Sequence, residues 1–349
     1  MEIGIGLDSS LGLHFEQQRE LARQAVMLGY RSAWTPAGGT TPDSFHVCSQ
    51  WSAATQDLVL GGLKTGISVL PVPLYSAAAL AATAATLADL TDGRFTLGIG
   101  SGSIYSASYR RSFGLPDYQP LSMMRDYLLV LHRLLVGETV DYEGPAITLH
   151  GARLTGFDKL SVPLYLGALG PQMLRLAGEA ADGVALNWCT PEQIAWSRRR
   201  INEGAQRAGR DSSSVAVMEY IRICIDDDED AARKAFARAV MGYALARPGA
   251  SKQHGYRAHF GRMGFDAELT KLESRREAGA ADAEIADAFP AELLRLVGYF
   301  GPAGRAAAAF KRLAEGLDIA VVRVVPARKG IEAVSAVMEA CRPELIEAV

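Results

Sequence analysis

Short runs of β-branched and aliphatic residues alternate along the chain with longer stretches whose apolar positions recur every three or four residues. The short runs fall at 3–7, 32–35, 66–70, 95–99, 163–167, 183–187, 216–225 and 319–325. Most lack strict polar alternation, the pattern of strands buried on both faces. Eight such runs separated by helical stretches predict an α/β fold, a (β/α)8 TIM barrel. Leu21, Ala25 and Leu28 share one helical face, as do Val47, Trp51 and Ala54 behind an Asp43/Ser44 cap. Tyr127, Leu128, Leu131, Leu134 and Leu135 form a stripe that stops at Gly137. Pro171 and Pro191 stand where a first helical residue belongs, and Pro302 opens an Ala-rich helix before the last strand. The acid run 226–230 reads as the dipole-complementing start of a helix.

Three segments break the alternation: 103–121, 137–162 and 230–300. Barrel insertions of this kind sit on the loops at the C-terminal face and shape the mouth of the site. No tandem repeat or low-complexity linker divides the chain, so 1–349 reads as one barrel domain. A doubly wound open sheet is the competing architecture, because Gly98-Ile99-Gly100-Ser101-Gly102 approaches a dinucleotide fingerprint. That fingerprint is G-x-G-x-x-G after the first strand; here Ser103 holds the last position and the run follows the fourth strand.

Composition narrows the function classes. With 349 residues, 49% hydrophobic and a net charge of −3, the chain can bury a large core and has no basic nucleic-acid surface. Cys48, Cys189, Cys224 and Cys341 form no C-x-x-C pair, which fits isolated thiols in a reducing cytoplasm. The start, MEIGIGLD, has no signal-peptide pattern, and the most apolar window, 77–88, is too short for a membrane span. No H-E-x-x-H or ligand-spaced His cluster points to a metal. The expectation is a cytoplasmic protein acting on a small molecule, with no metal, nucleic-acid or membrane partner.

Three segments carry candidate chemistry. GRFTLGIGSG (93–102) ends a buried strand in glycines, where backbone N–H groups can approach an anion and Ser101 adds a hydroxyl. The same residues also read as a tight turn with no ligand. TGISVLPVP (65–73) is a strand exit into a Pro-punctuated loop. In VPLYLGALGPQMLRLAGEAADGVALNW (162–188), a Gly-Ala-Leu-Gly turn precedes a Pro-started helix, an N-terminus suited to phosphate or simply a βα turn. Candidate reacting groups are Asp8, His14 and Glu219, whose plainer readings are a cap, a solvated histidine and a partner of a barrel arginine. Trp34, His46, Tyr75, Tyr105 and Trp188 are candidate walls of the substrate pocket.

Together, GRFTLGIGSG, LHRLLVGETVDYEG (131–144) and VPLYLGALGPQMLRLAGEAADG resemble the bacterial-luciferase-like superfamily of flavin- and deazaflavin-dependent oxidoreductases. Trp34 with x-P-x-G, followed by DSFHVCSQWSAAT, is similar to the methylene-tetrahydromethanopterin reductase branch, whose members use coenzyme F420. The resemblance implies hydride transfer with F420, or FMN-dependent oxygenation with reduced flavin; a flavin-holding barrel without turnover is the non-enzymatic alternative. It implies a non-prolyl cis peptide at Ser68-Val69 behind the ring, and cofactor contacts from Ser101, Gly102 and Ser103 and from Gly167, Ala168, Leu169 and Gly170. It also implies a homodimer, as is common in the superfamily. Two departures matter: Pro36 and Ala37 stand where some F420 members carry an acid and a His, and Ser103 where some carry a Glu.

Overall fold

The computed structural model describes residues 1–157, 161–247 and 252–349. The strands are β1 (Glu2–Gly6), β2 (Ser32–Thr35), β3 (Lys64–Pro71), β4 (Phe95–Gly100), β5 (Val140–Glu143), β6 (Thr148–Ala152), β7 (Leu164–Gly167), β8 (Gly183–Asn187), β9 (Ala216–Ile225), β10 (Gly298–Gly301) and β11 (Ile319–Val324). Eight of them pair in parallel in the order β1-β2-β3-β4-β7-β8-β9-β11, and β11 pairs back to β1 through Glu2↔Ile319 to Gly6↔Arg323. The fold is a closed (β/α)8 barrel, and its eight strands are the eight short apolar runs.

The outer layer comprises α1 (Phe15–Met27), α2 (Ser44–Ala53), α3 (Ala77–Leu90), α4 (Ala107–Phe113), α5 (Pro120–Leu135), α6 (Pro171–Ala180) and α7 (Pro191–Arg207). Their starts follow local chemistry. Asp43 accepts from the His46 N–H at 3.0 Å, Thr190 and Gln193 form a capping box, and prolines open α5, α6 and α7. Then come α8 (Glu229–Ala244), α9 (Gly255–Phe260), α10 (Asp266–Glu277), α11 (Asp282–Asp287), α12 (Ala291–Val297), α13 (Ala306–Leu313), α14 (Ile331–Ala340) and α15 (Pro343–Ala348). Asp228, in the acid run, caps α8 by accepting from the Asp230 and Ala231 N–H groups.

The barrel interior is filled in layers. Ser32 hydrogen-bonds Glu2 (2.6 Å) and Lys64 pairs with Glu2 (3.1 Å) at the N-terminal end. Above them Trp34 and Tyr165 fill the cylinder, and small residues on facing strands make room. A Cβ on Gly66 would lie 2.2 Å from the Trp34 ring, and one on Gly183 2.6 Å from Tyr165.

The insertions hold structure that periodicity does not disclose. Segment 137–162 contains the antiparallel β5–β6 hairpin, tied to the barrel by buried Asp126, which accepts from Tyr142 Oη and the Ala146 N–H at 2.7 Å each. Segment 230–300 contains α8–α12 and β10, which extends the sheet alongside the end of β9 (Gly298↔Arg222). Its core of Phe236, Phe260, Leu269, Phe289 and Leu293 surrounds Trp188, and the buried Arg257–Glu273 pair (2.7 Å) braces it. Residues 158–160 and 248–251 of these insertions lie outside the described residues. Among the described residues no helix is long and apolar enough to cross a membrane, and no group of three His, Cys, Asp or Glu could hold a metal ion.

Candidate functional site

The C-terminal mouth is organised around an irregularity in β3. The β3–β4 register breaks between Ile67 and Leu70, and the Ser68–Val69 peptide within the break is cis. The Val69 carbonyl accepts from the Ala37 N–H at 3.3 Å, which anchors the bulge to the loop after β2. The Val69 side chain lies over a bed of glycines. A Cβ on Gly98, Gly100 or Gly167 would come within 3.2, 2.7 or 3.1 Å of a Val69 methyl carbon.

Because β4 pairs directly with β7 (Ile99↔Leu166), the loops starting at Ser101 and Gly167 leave the same end of the barrel side by side. Gly102 has φ 57°, and a Cβ there would lie 2.9 Å from Pro71. The Ser101 hydroxyl donates to the Gly102 carbonyl (3.3 Å), at the surface. Gly170 is the N-cap of α6, and among the described residues, its chain neighbours aside, nothing lies within 4 Å of where its Cβ would be. Adjacent strand ends thus bring backbone amides, a hydroxyl and a helix N-terminus to one part of the rim, an arrangement suited to an anionic tail. Loops cover the rim. Phe113 packs where a Gly39 Cβ would be, Tyr109 borders Gly102, and the Tyr105 hydroxyl borders Gly255 of the 230–300 insertion.

The floor of the mouth is charged. Asp8, at the end of β1, is ion-paired with Arg323 of β11, whose guanidinium lies 5.2 Å from the Tyr220 ring centre. Burial lowers Arg323 to about 10 and raises Tyr220 above its usual range, so the phenol keeps its proton. Arg222, two residues on along β9, is also buried, and desolvation pushes it below the usual arginine value. These arginines and Tyr220 escape a search for His, acids and glycine turns. The available signal was a charged residue inside an otherwise apolar strand, rare unless it faces a site or a partner.

Several candidates are placed differently from expectation. Glu219 shares its strand face with Val217, Ile221 and Ile223 of the outer core, not with inward-facing Met218 and Tyr220. Its Oε1 accepts from the Cys189 N–H (2.5 Å), and burial raises its carboxyl to about 8. It therefore supports the loop after β8 from outside the barrel. His46 projects into solvent and pairs with Asp43 (2.7 Å), and His14 is an exposed cap of α1. Trp34 is fully buried and bonds downward to Ser32 (2.9 Å), so it is a plug beneath the site and not a wall of it. Asp8 is at the mouth, with Oδ1 accepting from the Ser10 N–H (2.6 Å) and Oδ2 facing Arg323; both oxygens are engaged. Tyr75 stays on the rim, where its carbonyl accepts from Tyr127 Oη (2.5 Å), and Tyr105 is half-exposed there. Trp188 is buried at the end of β8 with φ 61°, packed under Arg222. A separate cleft of about 460 Å³, lined by Glu229, Arg295, Tyr299, Arg305 and Arg312, lies along β10 and α13 and includes none of Val69, Ser101 or Gly167.

A closed (β/α)8 barrel thus has a bulged third strand at its C-terminal mouth, with glycines flanking the bulge. The chain belongs to the luciferase-like monooxygenase family, whose model matches residues 2–318. It is 34% identical over 186 residues to a 5,10-methylenetetrahydromethanopterin reductase of Archaeoglobus fulgidus, covering 52% of this chain and 54% of that one. It is 30% identical over 226 residues to an F420-dependent glucose-6-phosphate dehydrogenase of Mycolicibacterium fortuitum, covering 61% of this chain and 66% of that one. The chain thus spans about half to two-thirds of the length of the curated relatives it matches. The fold is similar over 99% of both chains, at a TM-score of 0.79 and 22% identity, to a coenzyme F420 dependent tetrahydromethanopterin reductase from Methanopyrus kandleri.

Proposed function

We propose that the protein is an F420-dependent oxidoreductase that transfers a hydride between the deazaflavin and a small organic substrate at the C-terminal mouth of the barrel. One observation carries the reading: the Val69 bulge with Gly98, Gly100 and Gly167 around it. Flat ligands need a shallow seat, and these glycines let the bulge settle by removing the Cβ atoms that would collide with Val69 and the Ile67 carbonyl. In this reading Ser68 and Val69 back the ring, while Ser101, Gly102, Ser103 and the 167–170 turn hold the polar tail. When bound, the cofactor supplies the hydride-carrying carbon. The protein supplies orientation and a dry site. Tyr105 and Gly255 meet over the mouth, and the Tyr220 hydroxyl, beside Ser68 of the bulge, offers a neutral donor on its floor. The similarity to named F420-dependent relatives supports the cofactor; the shortness of those matches leaves the substrate to experiment.

The test is a fluorescence titration of the purified protein with F420 and, separately, with FMN. Micromolar or tighter F420 binding with little FMN binding is the expected result. Tight FMN binding without F420 binding would replace this reading with flavin-dependent oxygenation. Flavin bound with no turnover of any carbonyl, imine or enone would favour a storage barrel.

A further inference from the structure

The mouth contains a cation that the fold itself does not neutralise. Arg222 continues the inward series Met218 and Tyr220 along β9 and is 5% exposed. Its Nη1 donates to the Tyr220 carbonyl at 3.0 Å; Nε and Nη2 have no acceptor among the described residues, and no carboxylate there lies within ion-pairing distance. Glu219 acts on it only at longer range, and at about 8 that carboxyl is largely protonated at neutral pH. The guanidinium carbon lies over Trp188, 3.6 Å from the ring centre, and 5.8 Å from that of Tyr243.

Stacking of this kind offsets part of the cost of burying a charge, but it leaves the in-plane N–H edge unused. Two further unsatisfied polar atoms flank it: Trp188 Nε1 and Asn187 Oδ1, with the Asn187 amide nitrogen bonded to Tyr256 Oη (2.6 Å). A buried cation and its orphaned neighbours are costly unless something completes them. The cluster sits on β8, β9 and the 230–300 insertion, whereas the Val69 seat sits on β3, β4 and β7.

We infer that Arg222, stacked on Trp188, is the anchor for an anionic group of the substrate, a carboxylate or phosphoryl oxygen pair taken by the free edge of the guanidinium. The inference rests on the mouth being the active site, and it names the substrate class of that site. A planar fork on an aromatic face pairs with two oxygens at once. Because the anchor on β8 and β9 continues round the rim from the ring seat on β3, β4 and β7, it fixes one end of a substrate while the other end reaches the ring.

The experiment uses the full-length protein, with and without saturating F420, titrated calorimetrically with benzoate, phenyl phosphate and the neutral benzamide. At least one anion should bind ten times more tightly than benzamide. R222Q should bring that anion down to the benzamide level while changing F420 affinity less than twofold. R222K, which keeps charge but loses the fork, should retain the anion preference at several-fold lower affinity. Equal binding of anions and benzamide by the unaltered protein overturns the inference without any variant. So does an R222Q protein of native circular dichroism that binds the anions undiminished, or one that loses F420 but keeps the anions, since the cofactor would then be the counter-charge. Failure of the unaltered protein to bind F420 would instead sink the cofactor reading, and the titration without F420 would still decide the anion site.

Discussion

Gly100→Ala isolates the seat. The backbone at Gly100 is not left-handed, so alanine fits its dihedral angles and the change is purely steric. The added Cβ would lie 2.7 Å from Val69 Cγ2, about 1 Å inside ordinary carbon–carbon contact. Valine is stiff about χ1, so relief comes from moving the Val69 bulge or β4 by that amount. Overpacking of this size costs about 1–3 kcal/mol. With about 2.1 cal/mol/K of unfolding entropy per residue over 349 residues, Tm should fall only about 1–4 °C. The effect on function should be larger, since a misplacement of about 1 Å at a reacting centre costs on the order of a hundredfold in rate. Thermal unfolding and F420 fluorescence titration measure the two effects. Adding Val69→Ala removes the clashing methyls, so the double variant should unfold like V69A alone, a coupling visible in a double-mutant cycle. If G100A loses stability yet binds and turns over F420 normally, Val69 is not the platform and the reasoning is wrong.

Three other outcomes follow from the charges. Burial raises Glu219 to about 8, above its ordinary 4.5, so its stabilising contribution is intact below pH 4.5 and is lost as pH rises towards 8. E219Q should flatten that slope and gain about 3–5 kcal/mol over the parent by pH 8; parallel Tm–pH curves would contradict this. His259, whose Nε2 meets the Trp188 carbonyl at 2.8 Å, is lowered by burial to about 4. Its contribution is present above pH 6.5 and is lost as pH falls towards 4, so H259Q should lessen the acid-side loss of unfolding free energy by about 3 kcal/mol, read from denaturant titrations at pH 7 and pH 4. R257M leaves Glu273, 2% exposed, with only the Lys252 ammonium (2.8 Å) and the Ala246 N–H (2.7 Å), and should cost about 1–3 kcal/mol, with faster hydrogen exchange concentrated in α9 and α10; unchanged exchange there would contradict the bracing role.

The barrel was legible because strands buried on both faces read as unbroken apolar runs, and all eight appear where those runs lie. The hairpin β5–β6 was not, because its strands are short and half-exposed, with Gly144 and Pro145 in the turn between them. Nor was β10, only four residues in a helical insertion. The glycine turns at 98–102 and 167–170 proved adjacent, since pairing of β4 with β7 follows from barrel order once the hairpin is set aside. Side-chain direction was the weak point. Glu219 and Tyr220 are neighbours on opposite faces of β9, and a one-residue error of parity exchanges a core carboxylate for a mouth phenol. Trp34 was misplaced by depth instead: it points inward, but one layer too low. Arg222 and Arg323 were passed over because a charge in an apolar strand shows its value only once facing strands are known.

The most direct measurement is a crystal structure of the protein with F420 bound. The account predicts the ring against Val69, with its tail running past Ser101–Ser103 and the 167–170 turn. A ring lodged instead in the cleft between β10 and α13, or a tail that touches neither loop, would contradict it.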